Sequence, residues 1–352
     1  MTNLTRVVIL ILIGLGLAHL SAVAHMPLLR PTYGVCTAVR REGLLLVEWI
    51  EYHSMIGIKN FYVYIPLPEV MDSHEALVTY SLLEPYRHSA TIKLHILYQQ
   101  HPRDGFNPQA QAMDECYITY ATQNDWLFFF DVDEFLAFSL GDHLDSILSS
   151  ILRYLPPSNP QSLAAVCIRR VNIFPAHPFD NPVVRRPPDS LLTEVANRST
   201  NDHAKGKIAA YTQRSDQLAK ECHFKSVIDE VIYFHNCFGH SRVPVILTNG
   251  MSVPPSDTHC RFAHPNNQEK LVLYHYFVRT CAEWRELLLK RNEWNKDRGF
   301  PLNPKSSRFD PMYCTKSSDE SLAVADWLLR HLPELSTRVR EHPLWGQSIS
   351  FF

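Results

Sequence analysis

The chain has almost no net charge: 34 basic against 36 acidic residues leave a formal −2 over 352 residues. A protein that grips DNA or RNA needs a lysine and arginine excess to neutralise phosphates, so nucleic acid is excluded as a partner. The eight cysteines form no Cys-x-x-Cys pair, which removes the usual zinc and dithiol-redox arrangements. There is no internal repeat and no low-complexity tract. A second acidic cluster is also missing, and with it the two-metal site that a phosphodiesterase or nucleotidyltransferase would need.

What is present is a composition 45% hydrophobic, enough to bury one large α/β core or a main domain with an appended subdomain. Arg6 precedes an apolar run from Val7 to Ala18, and Ala22-Val23-Ala24 has the small-x-small form of a signal-peptidase site. Residues 1–25 therefore read as a signal peptide or an uncleaved signal anchor, with membrane attachment through residues 7–24 in the second case. Arg6 keeps the short leading side cytosolic, so the remainder faces the lumen of the secretory pathway, ER or Golgi, as a type II membrane protein or a secreted one. A lumenal chain is compatible with disulfides. Cys36 and Cys167 lie in strand-like apolar segments and read equally well as buried free thiols, whereas the later four or five cysteines are the better disulfide candidates because they fall in the loop-rich half. Asn197-Arg198-Ser199 is a glycosylation sequon.

Hydrophobic periodicity gives strands at 33–39, 59–65 and 91–98, with helices at 42–56, ended by Gly57, at 72–83 and at 108–122. The opening strand–helix–strand is the βαβ unit of a parallel sheet, which binds a nucleotide at its carboxyl edge. A helix over 142–154, capped by Asp142 and stopped by Pro156-Pro157, comes next. Residues 175–222 are Pro-rich and poor in periodic apolar positions, and read as a long loop or a substrate-facing insertion. Strands are then expected at 224–228, 231–235 and 271–277, and helices at 281–294 and 321–331.

The most informative stretch is Trp126-Leu127-Phe128-Phe129-Phe130-Asp131-Val132-Asp133-Glu134-Phe135. A short aromatic run suits a strand buried on both faces, and it stops at carboxylates that then sit at the strand's carboxyl end. Crowded carboxylates repel one another and are costly to desolvate, so a neutralising cation is the simplest reason to keep them together. Oxygen ligands favour Mg²⁺ or Mn²⁺, which complete their shells with water and substrate phosphates, and a diphosphate ligand is the expected partner.

Three strings in order carry a resemblance. Cys36 to Glu42 runs into Glu48-Trp49-Ile50-Glu51-Tyr52-His53, Gln109 to Cys116 precedes the acidic motif, and Asp131-Val132-Asp133-Glu134-Phe135 follows. Together they resemble glycosyltransferase family 92, as do Lys225-Ser226-Val227-Ile228 and Tyr274-His275-Tyr276 later on. The resemblance spans most of residues 33–297. It implies a GT-A fold: a mostly parallel central sheet flanked by helices, with a Rossmann-like nucleotide-sugar half (31–155) and an acceptor half (156–335) in one domain, followed by a tail (336–352). It also implies metal-dependent, inverting transfer from a nucleotide-sugar, a UDP-sugar with UDP-galactose one candidate, to a glycan or glycoconjugate. The chain departs from the family at Pro66-Leu67-Pro68-Glu69, where an Asp- and Ser-containing turn is usual and Asp72-Ser73 comes later, and at Asp229-Glu230, where Arg-Pro is usual.

The site residues follow from both readings. Asp133 is expected to bind the metal directly, and Asp131 through water or the ribose. His275 is either a further metal ligand or a satisfied core histidine, with His235 and His240 behind it. Glu134 either orients a ligand or an arginine, or is exposed. Arg40, Arg41, Glu42 and Asp72 are candidates for donor contacts, arginine meeting phosphate or uracil and the carboxylates meeting hydroxyls. Glu42 equally suits a helix first turn. The aromatic face of the Glu48 to His53 segment is read as packing on the sheet. For the general base the candidates are Asp229 and Glu230, with Asp202 and Asp257 open, and Lys225 would stabilise the leaving diphosphate. The competing function is a non-catalytic lumenal protein that binds a nucleotide-sugar or glycan on the same fold.

Overall fold

The computed structural model describes residues 31–39, 42–68, 73–87, 92–99, 108–138, 143–153, 165–172, 206–211, 245–248, 271–275 and 326–344. Its first three strands are β1 (Tyr33–Ala38), β2 (Asn60–Pro68) and β3 (Ile92–Gln99), separated by helices α1 (Leu44–Met55) and α2 (Ser73–Arg87). Helix α3 (Pro108–Tyr120) and a short 3₁₀ turn lead into β4 (Trp126–Phe129). Next come β5 (Glu134–Phe138), α4 (Leu144–Leu152), β6 (Ala165–Asn172), β7 (Gly206–Tyr211), β8 (Val245–Leu247), β9 (Leu271–His275) and α5 (Asp326–Arg340).

All described strands form one sheet in the order β3-β2-β1-β4-β7-β6-β9-β5, with β8 on β6. The four strands from β3 to β4 are parallel, as are β6–β9 and β6–β8. Only the pairings β4–β7, β6–β7 and β5–β9 are antiparallel, so the α/β sheet is mostly parallel. Its parallel strands are apolar on both faces because helices cover both, which is why the segment from Trp126 to Phe130 shows no polar alternation and is buried throughout. Val35, Phe61, Val63, Trp126 and Phe128 face one core layer, which also holds Leu46, Trp49 and Ile50 of α1. Cys36, Tyr62, Tyr64, Leu127 and Phe129 face the other, under Ala112, Met113, Cys116 and Tyr117 of α3. Gly34 sits where any Cβ would come within 2.6 Å of Asn124 Oδ1, which lets the Asn124 side chain bond Asn60 and the Tyr62 hydroxyl across the sheet.

Several expectations shift. Cys36 is no free thiol: it is bonded to Cys116, and Cys167 is also disulfide-bonded. The expected loop over 175–222 contains β7, which inserts between β4 and β6 and satisfies its backbone by antiparallel pairing on both sides. The helix read as starting at Asp142 has His143 at its N-cap, where Ser146 Oγ accepts the His143 N–H at 3.3 Å. The final helix runs to Arg340, into the stretch read as a tail, because Leu335 and Val339 join the core and Arg338 reaches Glu51 of α1 at 3.5 Å. The strands expected at 224–228 and 231–235, the helix at 281–294, the sequon at Asn197 and the segment 7–24 lie outside the described residues. Among the described residues no helix is long and apolar enough to cross a membrane.

Candidate active site

The chain winds outward from β1 in both directions, to β2 and β3 on one side and to β4 on the other. This reversal point, at the carboxyl ends of β1 and β4, is where open parallel sheets leave a crevice for ligands. The Asp-x-Asp motif stands there, because Phe130 N–H donates to Cys36 O and carries the β1–β4 ladder one residue past the strand before the turn begins.

The turn spans Asp131 to Glu134 and is closed twice. Glu134 N–H donates to Asp131 O at 3.0 Å, and the Asp131 N–H donates to Glu134 Oε2 at 2.9 Å. The Glu134 side chain is fully buried, and its other oxygen accepts from Arg170 Nη1 at 3.3 Å. Arg170 reaches it from β6, whose neighbour β9 lies between β6 and β5. Of the two expectations for Glu134, orienting an arginine is the one the structure displays.

Register then brings the second half of the chain to the motif. Glu134 pairs with His275 across β5 and β9, so the imidazole arrives beside the turn, and His275 Nε2 stands 3.4 Å from Asp133 Oδ2. Asp133 and Asp131 are half-buried and His275 is buried, which leaves the acidic tip partly open to a ligand. Among the described residues no three His, Cys, Asp or Glu side chains gather closely enough to form a metal cluster by themselves. Asp133 and His275 form a close pair, and Asp131 opens the same turn. Two adjacent donors on one small divalent ion, each ~2.1 Å from it, stand about 3 Å apart, so this pair suits one ion that takes its remaining ligands from water and a diphosphate.

Glu42 follows β1 at the same sheet edge as Asp131 and is partly exposed. Arg40, Arg41, Asp72, Lys225, Asp229 and Glu230 lie outside the described residues, as do His235, His240, Asp202 and Asp257. The residue missing from the sequence reading is Arg170. Its signal was the arginine pair directly after the apolar run Ala165-Val166-Cys167-Ile168, since a cation on such a strand needs an anion nearby.

The aromatic segment of α1 is buried, as read, but it does more than pack. Trp49 Nε1–H donates to Glu134 O at 2.9 Å, the Tyr52 hydroxyl donates to Leu136 O, and Leu136 N–H donates to His53 Nε2 at 3.4 Å. Burial lowers the His53 pKa to about 3 and raises that of Tyr52.

A mostly parallel α/β sheet with a carboxylate–imidazole pair at its reversal point defines the class of protein: an open α/β fold with a candidate ligand site at the carboxyl ends of its strands. The sequence model of glycosyltransferase family 92 matches residues 32–239, more than half of the chain, and the chain belongs to that family. Galactan beta-1,4-galactosyltransferase GALS3 of Arabidopsis thaliana is 30% identical over 109 residues, 30% of this chain and 21% of that protein. Galactan beta-1,4-galactosyltransferase GALS1 of the same plant is 28% identical over 145 residues, 39% of this chain and 26% of that one. The aligned stretches thus span about a fifth to a quarter of these relatives. Among solved structures, a mannosyltransferase from Pyrobaculum calidifontis in complex with GDP-Man and Mn²⁺ aligns over 92% of this chain and 78% of its own, at 11% identity and a TM-score of 0.34.

Proposed function

We propose that the chain is a metal-dependent, inverting glycosyltransferase that moves a sugar from a UDP-sugar to a glycan or glycoconjugate acceptor in the lumen of the secretory pathway. Family membership supports the reaction class, and the galactosyltransferase relatives favour UDP-galactose as the first donor to try. The observation that carries the metal reading is the approach of His275 Nε2 to Asp133 Oδ2 at the sheet's reversal point. Mn²⁺ or Mg²⁺ held by Asp133 and His275, with Asp131 beside them, would supply positive charge to the departing diphosphate.

The chain's own residues do the positioning. Glu134 and Arg170 brace the turn so that Asp131 and Asp133 need not reorganise when a ligand arrives, and preorganisation of this kind is where most electrostatic catalysis originates. Buried Phe128, Phe129 and Phe130 keep water from the strand behind it. Inversion requires a carboxylate base near the acceptor hydroxyl, for which Asp229 and Glu230 remain the candidates.

A panel of nucleotide-sugars assayed with and without Mn²⁺, on native protein and Asp133→Asn, tests this. Native protein should transfer sugar only with metal, and the variant should lose more than about 100-fold of that activity while unfolding at a similar temperature. Metal-dependent donor binding without turnover would instead favour the binding-protein reading. Activity equal in both proteins would remove the metal from the proposal.

A further inference from the structure

Strand β5, which begins with the last residue of the Asp-x-Asp turn, ends the sheet: β9 lies along one edge and no described strand along the other. An edge strand carries a row of unpaired N–H and C=O groups. In β5 that row cannot turn to water, because Glu134 through Phe138 are all buried. Three side chains of α1 stand where the next strand would be. Trp49 donates to Glu134 O, Tyr52 donates to Leu136 O, and His53 accepts from Leu136 N–H. Positions 49, 52 and 53 share one helix face, and residues 134 and 136 share one edge of a strand, so the helical spacing matches the strand's alternation. His53 Nδ1–H donates to Trp49 O at 2.8 Å, which leaves Nε2 as an acceptor. Only a neutral ring does both. Ring contacts of His53 with Trp49, Tyr52 and Phe135 hold the group together.

We infer that Trp49, Tyr52 and His53 are positioning residues: they act as a surrogate strand along β5 and thereby hold the Asp131–Glu134 turn opposite His275. The glutamate-tryptophan-tyrosine-histidine segment thus serves the site without touching a ligand. The metal part of this inference rests on the proposed function; the strand-replacing part does not.

The experiment uses the full chain and reads two quantities on native protein, Tyr52→Phe and a control, Ile151→Val, which trims a buried side chain of α4 at a similar cost in stability. Tyr52→Phe keeps the ring and removes only the hydroxyl. The Leu136 N–H is held by His53 and the Leu136 carbonyl by Tyr52, so if the α1 side chains hold β5 as one unit, losing the Tyr52 hydroxyl should speed exchange of the Leu136 amide in metal-free protein about fivefold or more, with the control native-like. Mn²⁺ affinity by calorimetry should fall about fivefold or more in Tyr52→Phe and less than twofold in the control. Unchanged Leu136 exchange in Tyr52→Phe overturns the surrogate strand, and a Mn²⁺ affinity that falls equally in both variants overturns positioning. A native chain that takes up no Mn²⁺ overturns the metal reading and the positioning role with it, and the exchange data then show separately whether α1 completes the sheet.

Discussion

Glu134 occupies two structures at once, as the closing residue of the acidic turn and the opening residue of β5. Its carboxylate reaches back to the Asp131 N–H and sideways to Arg170, so one buried charge satisfies a turn donor and a strand cation. Glu134→Gln keeps the shape and an acceptor but removes the charge that faces the guanidinium. The expected result is a loss of about 1–3 kcal/mol in denaturant unfolding together with Mn²⁺ binding weakened roughly 10- to 100-fold in calorimetry. At this scale the place of the acidic motif was legible, because an aromatic run that stops at carboxylates marks the carboxyl end of a buried strand. The partners were not: Arg170 and His275 arrive from distant strands, and nothing local to Glu134 names them.

Helix α3 shows how an element is fastened. Its inner face packs on one side of the sheet, and Cys116 joins Cys36 of β1 across 80 residues. A bond closing so long a loop restricts the unfolded chain strongly. Cys36→Ala combined with Cys116→Ala should therefore lower stability by about 3–5 kcal/mol in denaturant unfolding, and peptide mapping without reductant should find the two cysteines joined in native protein. Helix and strand positions in the first half were legible from periodicity, which is strong where both sheet faces are covered. The second half was less so. A segment such as Gly206–Tyr211 is short and pairs with strands far away in the chain, so its extended form depends on the gap between β4 and β6 rather than on its own pattern.

For the whole molecule, two buried histidines tie the fold to pH. His53 is held neutral on the buried face of α1, its pKa near 3. His342, beyond α5, donates from Nε2 to Leu82 O at 2.9 Å and accepts the Leu344 N–H on Nδ1, and burial lowers its pKa too. The unfolded chain takes up these protons as pH falls through about 6.5, whereas folded His53 stays neutral until about pH 3 and folded His342 takes up its proton below the ordinary histidine value. Stability is thus fully present above pH 6.5 and declines as pH falls toward 3. His53 alone should make the protein about 2 kcal/mol less stable at pH 5 than at pH 7, a difference visible in denaturant midpoints and diminished in His53→Gln.

The sequence by itself determined the α/β class, the opening βαβ unit, the acidic tip at the end of an aromatic strand and the family resemblance, because each is written in short-range patterns of burial and charge. Only the tertiary structure decided that His275 faces Asp133, that Arg170 answers Glu134, that Cys36 joins Cys116 and that α1 completes the edge of β5. Those are meetings of segments far apart in the chain. They depend on sheet order and register, which local propensity does not encode and which emerge only when every buried backbone group must find a partner at once.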